Sequence, residues 1–255
     1  MTSLIQHLFT GLSVGAVYAL IALGYTMVFG VLQLINFAHG DLVMVGAFVA
    51  YYAAKWTGAQ ASWPLAAGVM VLAMAAAAGL GFVIERAAYR PLRSQPRITA
   101  LITAIGVSML LENGGQLLFG AEPRHPLWTP TLEPVRLGGL TFQPVELVTL
   151  VVAVGIMLAL RYIVFRTKFG LAMRAVAHDP KVAALVGVPV DRVISLTFML
   201  GSALAAAAGL LYSLTYPKID PFMGLQPGMK AFIAAVLGGI GHVPGAMVGG
   251  VVLGM

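Results

Sequence analysis

INFAHGD, residues 35–41, interrupts a sequence that otherwise avoids polarity. Residues 8–38 hold no charged side chain, and LVMVGAFVAYYAA (42–54) follows the interruption. Asn36, His39 and Asp41 therefore stand between two apolar runs. The run after them is short. A bilayer-crossing helix needs about 20 mostly apolar residues, each adding about 1.5 Å to a core about 30 Å thick. Residues 42–54 cross only if their helix begins inside INFAHGD. Two readings of the interruption stay open. It is a polar turn at the headgroups, since Asn, His-Gly and Asp are turn and cap formers. Or it is a helix break lining a pathway, where ionisable groups at membrane depth face protein or water.

Composition puts the whole chain in the same class. It has 255 residues, 60% hydrophobic and 9% charged, with mean hydropathy +0.93. So few charges cannot cover a water-facing surface, for which about 25% is usual. The expected fold is all-α: a polytopic helix bundle in the lipid bilayer, one domain over 1–255. Spans are predicted at 8–32, 42–54 with part of INFAHGD, 62–84, 98–119, 144–165 and 193–216. The last stretch, AFIAAVLGGIGHVPGAMVGGVVLGM (231–255), holds a ten-residue apolar piece, a Gly-rich break and a further apolar run. That makes seven or eight segments, some short or broken. The final run stops at Met255, where a helix would leave carbonyls in hydrocarbon, so the natural C-terminus is expected to lie further on. The N-terminus has no Lys or Arg before its apolar run and reads as a retained span.

Ten of the fifteen basic residues lie in two loops. Arg86, Arg90, Arg93 and Arg97 occupy 85–97; Arg161, Arg166, Lys168, Arg174, Lys181 and Arg192 occupy 161–192. The positive-inside rule places both in the cytoplasm. Two spans separate them, so the assignments agree, and the N-terminus, 120–143 and 217–230 fall outside. This distribution accounts for the net charge of +6 without nucleic acid. There is no cysteine, no metal-ligand spacing among the histidines, and no G-x-x-x-x-G-K-[ST] phosphate loop. No cofactor or enzymatic site is expected.

The loop RTKFGLAMRAVAHDPKVAALVGVPVDR (166–192) is far longer than a connector requires. LAMRAVAHD and KVAALVG read as short helices, with Asp179 as N-cap and Pro180 in the first turn. Ala172, Ala175, Ala183 and Ala184 give one face of small residues. This suits a docking element for another subunit, or a helix lying on the headgroups. Deeper in the spans, Glu112, Asn113 and Gln116 interrupt 98–119; they line a pathway or make interhelical hydrogen bonds. His242 echoes His39, each followed five residues later by Met-Val-Gly; paired breaks in two halves point to a transport site. Gly241, Gly245 and Gly249 form a small-residue stripe for helix packing.

The chain resembles the permease subunits of ABC importers for branched-chain amino acids, of the H type. The matching residues are Gly170, Arg174, Ala175, Asp179, Ala183, Ala184, Gly187 and Val188, then Phe198 and the run Ala203 to Gly209. GLSVGAVYALIALGYTMVFGV, NFAHGD, ITAIGVSMLLENGGQLLFG and VLGGIGHVPGAMVGG extend it along the chain. The resemblance implies a bacterial inner-membrane subunit that forms the translocation pathway. Its expected partners are two cytoplasmic ATP-binding subunits, a second related permease and an external substrate-binding protein. Gly170, Arg174, Ala175, Asp179, Ala184 and Gly187 are then ATPase-coupling residues. Asn36, His39, Asp41, Glu112, Asn113, Gln116 and His242 are candidates for the pathway. Alternatives are a same-family permease for urea or short-chain amides, and an ion-coupled carrier or channel.

Overall fold

The computed structural model describes residues 2–57, 63–93, 95–127, 135–137 and 140–255. Six long helices and two short ones form the bundle: α1 (Thr2–Leu32), α2 (His39–Thr57), α3 (Trp63–Ile84), α4 (Arg97–Phe119), α5 (Pro144–Arg166), α8 (Val190–Thr215), α9 (Leu225–Leu237) and α10 (Val243–Gly254). Two small helices, α6 (Lys168–His178) and α7 (Pro180–Leu185), lie between α5 and α8. A π-turn (Glu85–Tyr89) and a 3-10 turn (Arg90–Leu92) finish α3. The only strands among the described residues are the three-residue β1 (Val135–Leu137) and β2 (Leu140–Phe142), paired antiparallel between α4 and α5.

Among the described residues, five helices are long and apolar enough to cross a membrane: α1, α3 with its terminal turns, α4, α5 and α8. α2, with 19 residues beginning at His39 inside INFAHGD, stands outside that set. The expected helices and their order are observed, as a helical polytopic bundle. Burial sorts them. The apolar window of α1 is 89% buried and that of α4 only 17%. A helix apolar all round belongs at the centre of a bundle or in lipid; α1 is the first kind and α4 the second.

Small residues set the packing. Without a hydrophobic drive between helices in lipid, close backbone approach supplies the contact. A Cβ on Gly209 of α8 would sit 2.0 Å from the Val43 carbonyl oxygen, and one on Gly46 2.3 Å from Ala206 Cα. α10 is pressed between two neighbours: Gly245 and Gly249 meet Gly238 and Ala234 on α9, while Gly250 and Gly254 meet Ala19 and Gly15 on α1. The Gly245–Gly249 part of the stripe predicted for packing serves packing.

The two basic loops lie at one end of the bundle. Arg90 and Arg93, after α3, bind Asp191 in the first turn of α8 at 2.6 Å each. The opposite end is fastened by Arg124, which exchanges backbone hydrogen bonds with Ile219 at 2.8 Å and donates to the Phe119 carbonyl. Its guanidinium lies 5.5 Å and 5.7 Å from the ring centroids of Tyr51 and Tyr52, and bonding to Tyr51 raises its pKa further.

One boundary differs from the sequence expectation. Residues 225–230, expected in an external loop, form the first turns of α9. Gly224 and Gly228 explain this: both lie against the Gly40 backbone at the start of α2, so the chain enters the bundle at Gly224.

A glycine whose Cβ position is filled by backbone should tolerate no side chain. Gly209→Val is expected to cost about 3 kcal/mol or more. Gly79→Val, where nothing lies within 4 Å, should change stability by under about 1 kcal/mol. Thermal unfolding of both variants in detergent checks this.

Candidate functional site

The centre of the bundle is where α2 begins. α1 ends at Gln33, whose φ of 54° turns the chain back while its amide donates to the Phe29 carbonyl. Residues 33–36 then run without helical structure along the bundle, and a turn at Phe37–Ala38 leads into α2. His39 therefore starts α2 well inside the protein. Its Nε2 lies 3.2 Å from the Ile21 carbonyl oxygen, and its ring centroid is 4.5 Å from that of Tyr25. Ile21 and Tyr25 stand near the middle of the apolar run Gln6–Leu32. INFAHGD thus folds back along α1 and starts α2 inside the bundle.

Asn36, His39 and Asp41 are all buried, and each has a partner on a different helix. The Tyr89 hydroxyl donates to Asn36 Oδ1 at 2.7 Å. The Ser108 hydroxyl of α4 donates to Asp41 Oδ2 at 2.5 Å. Glu112 is one helical turn beyond Ser108 and within electrostatic reach of Asp41. The seam continues through Met44 against Gly115 and Phe48 stacked on Phe119, with centroids 4.4 Å apart. Glu112 and Gln116 are half-buried. Asn113 is exposed and donates to the Met109 carbonyl of its own helix at 2.7 Å.

The start of α9 meets the start of α2. A Cβ on Gly224 would lie 2.0 Å from the Gly40 oxygen, and one on Gly228 2.9 Å from Gly40 Cα. From this point the helices diverge. α2 runs to Tyr51 and Tyr52 beside Arg124; α9 runs to the basic end, where Gly241 reaches Gly30. So the break that pairs with His39 is at Gly224. His242 lies elsewhere, as N-cap of α10, its Nδ1 accepting from the Gly245 amide at 3.1 Å. It borders a cavity of about 200 Å³ together with Thr26, Gly30, Met173 and Arg174. His39 and His242 are level with different parts of α1 and do not form one site.

At the basic end, α6 and α7 fold as their sequence predicts. The Thr167 hydroxyl accepts from the Gly170 amide at 3.1 Å. Asp179 Oδ1 accepts from the amides of Lys181 and Val182 at 2.8 Å and 3.0 Å, and these bonds, that from Val182 most, hold its carboxyl below the ordinary range. Gly187, at φ +84°, ends α7; its amide bonds to Ala184 and that of Val188 to Ala183, both at 3.0 Å. This is a Schellman stop, which explains the glycine. Gly170 is needed for close approach, since a Cβ would lie 2.2 Å from the Val164 oxygen. Ala183 is buried, and Ala172 and Ala175 are half-buried against the chain's own core. The free face is instead Leu171, Arg174, Lys181, Val182, Leu185 and Val186. Arg174 also lies 5.4 Å from the Phe165 ring centroid.

Sequence reading missed the link between these regions. Glu85 is fully buried. It pairs with Arg93 and accepts from the Ser195 hydroxyl at 2.6 Å. Asp191, Arg93 and Glu85 thereby tie the start of α8 to the π-turn, and Tyr89 of the same turn holds Asn36. A carboxylate directly abutting the apolar run 63–84 was the available signal; its partners, at 93 and 195, could not be guessed from spacing.

Known proteins match the sequence over most of its length. The family model described as branched-chain amino acid transport system / permease component covers residues 7–255. The chain belongs to this family. It is 43% identical over 264 residues to the high-affinity branched-chain amino acid transport system permease protein LivH of Escherichia coli strain K12, covering 98% of this chain and 84% of the relative. The corresponding protein BraD of Pseudomonas aeruginosa is 41% identical over 264 residues, with the same shares. The ribose import permease protein RbsC of Escherichia coli strain K12 is 26% identical over 258 residues, 98% of this chain and 76% of the relative. No solved structure matches the chain.

Removing the donor to Asn36 tests the break's anchoring. Tyr89→Phe leaves a buried amide oxygen unpaired and should destabilise by about 1–3 kcal/mol, read as a lower unfolding midpoint in detergent.

Proposed function

We propose that this chain is a membrane-spanning subunit of an ATP-driven importer for branched-chain amino acids. The observation that carries the reading is the alignment at 43% identity, over 98% of the chain, to a permease named for that transport. The burial pattern is in keeping with it. A buried core surrounds α1, and a lipid-apt surface covers α3, α4 and α5.

In this reading the basic end is cytoplasmic and the N-terminus outside, in a bacterial inner membrane. Segment 166–192 is the coupling loop. Its exposed mixture of Leu171, Val182, Leu185 and Val186 with Arg174 and Lys181 suits a protein partner, because apolar anchors beside a guanidinium are what tight interfaces use. Two ATP-binding subunits supply that partner, one to each of two related permeases, and an external binding protein delivers the substrate. The chain needs no cofactor of its own and no nucleic acid.

ATP-driven closure of the partners would displace α6 and α7. The start of α8 follows, and Asp191, Arg93 and Glu85 pass the shift to the π-turn. Tyr89 carries it to Asn36 and so to the break that opens α2. Asn36, His39 and Asp41 are in this view the moving joint of the pathway, with Glu112 and Gln116 on its α4 side. Asn113, on the exposed face of α4, also donates to the Met109 carbonyl.

Proteoliposomes carrying the full complex test the reading. Leucine uptake should require ATP, the binding protein and the ATPase subunits; uptake without the ATPase subunits would favour an ion-coupled carrier. Arg174→Glu and Gly187→Trp should each lower uptake by about tenfold or more, the scale of losing an interface anchor. Both proteins should still reach the membrane. Glu85→Gln should lower uptake without preventing assembly with the ATPase subunits.

A further inference from the structure

Lys230 is the sixth residue of α9 and is exposed on the chain's surface. Its Nζ lies 3.4 Å from the Tyr18 hydroxyl and 5.6 Å from that ring's centroid. Tyr18 stands at the middle of the apolar run Gln6–Leu32. An ammonium at that level on a lipid-facing surface is costly, and lysines avoid the cost by snorkelling from helix ends. Lys230 reaches only to Tyr18, still inside the bundle. The face that carries it is therefore one that meets water or protein.

That face has a polar continuation. Gln226 is one turn earlier on the same side of α9. It borders a cavity of about 560 Å³ beside Tyr212, Tyr216, Lys218 and Asp220. Lys218 and Asp220, 3.0 Å apart, place both signs of charge at the cavity's rim. Between the polar groups the wall is apolar: Phe222, Met223 and Leu225. A track with an ammonium, an amide, an ion pair and apolar surface matches a zwitterion with an aliphatic side chain.

We propose that the α9 face bearing Gln226 and Lys230 lines a water-filled route, and that Lys230 receives the substrate's carboxylate midway across. The ammonium has three donors and spends one on Tyr18, leaving two for a carboxylate. The carboxylate role rests on the amino-acid permease reading above; the wetness of the face does not.

The test uses the full complex in proteoliposomes. Lys230→Gln should lower kcat/KM for leucine uptake about ten- to a hundredfold, the worth of a charge-assisted hydrogen bond; Lys230→Arg should keep most of it. The chain has no cysteine, so the thiol of Lys230→Cys is unique in it. A membrane-impermeant cationic thiol reagent should modify that thiol, detected by the mass of this chain, and should spare Leu117→Cys on the exposed side of α4. Wild-type kinetics in Lys230→Gln would overturn the carboxylate role, and an unreactive thiol in Lys230→Cys would overturn the wet face. Failure of the unmodified complex to take up leucine sinks the substrate reading and the carboxylate role with it. The labelling result then still decides whether the route is wet.

Discussion

The structure depends on one contact: the backbone at Gly40 against the backbone at Gly224 and Gly228. Non-helical chain at membrane depth survives only where protein or water satisfies its polar groups. Here two helices start in mid-bundle, one approached from each end. Each covers the other's opening. Side chains of any size at these three positions would separate the two starts and expose unpaired amides. Asn36, His39 and Asp41 then find partners on α1, α4 and the π-turn, so the polar groups that a break introduces are met by three surrounding elements.

Much of this was legible in the sequence, for reasons of length and polarity. α3, α4, α5 and α8 lie within a few residues of the apolar runs that announce them. The start of α2 inside INFAHGD followed from arithmetic alone, because thirteen apolar residues do not cross a bilayer. Asp179 showed its cap chemistry in the sequence; the helix stop at Gly187 became visible only through its φ of +84°. Less legible was the depth of 217–230. Pro217, Asp220, Pro227 and Lys230 look like a loop on any hydropathy scale. The segment is held within the bundle by glycine contacts with residue 40, and contacts across 184 positions leave no local trace. His39 and His242 both stand at helix starts, as their shared Met-Val-Gly pattern suggested, but against different parts of α1, which the pattern does not encode.

Several acids among the described residues are met by a donor or a cation. Glu85, the acid with no exposed surface, has Arg93 and Ser195. Asp41 has Ser108, and Glu146 accepts from Thr10 at 2.9 Å. At the basic end the arginines do more than orient the chain. Arg90 and Arg93 clamp the first turn of α8 to the end of α3, so topology and mechanical linkage are built from the same side chains. Exposed pairs of this kind add little stability alone. A network anchored on a buried carboxylate adds direction, because moving one member leaves another uncompensated.

Flexibility is distributed accordingly. α1 and α8 pack glycine to glycine at Gly24 and Gly201, and α10 fits against α1 through Gly250 and Gly254; interfaces so close do not slide without collision. α4 is different. It meets the rest of the bundle along the α2 seam and the π-turn, with Ser108, Gly115 and Phe119 as its points of contact. Beyond these contacts α4 buries Ala100 and Ala104, and most of the rest of its surface faces away from the bundle. Any movement of α4 would act on Asp41 through Ser108, while the α1–α8–α10 packing keeps the Gly40–Gly224 junction in place. The break thus lies between the closely packed α1–α8–α10 core and the less buried α4.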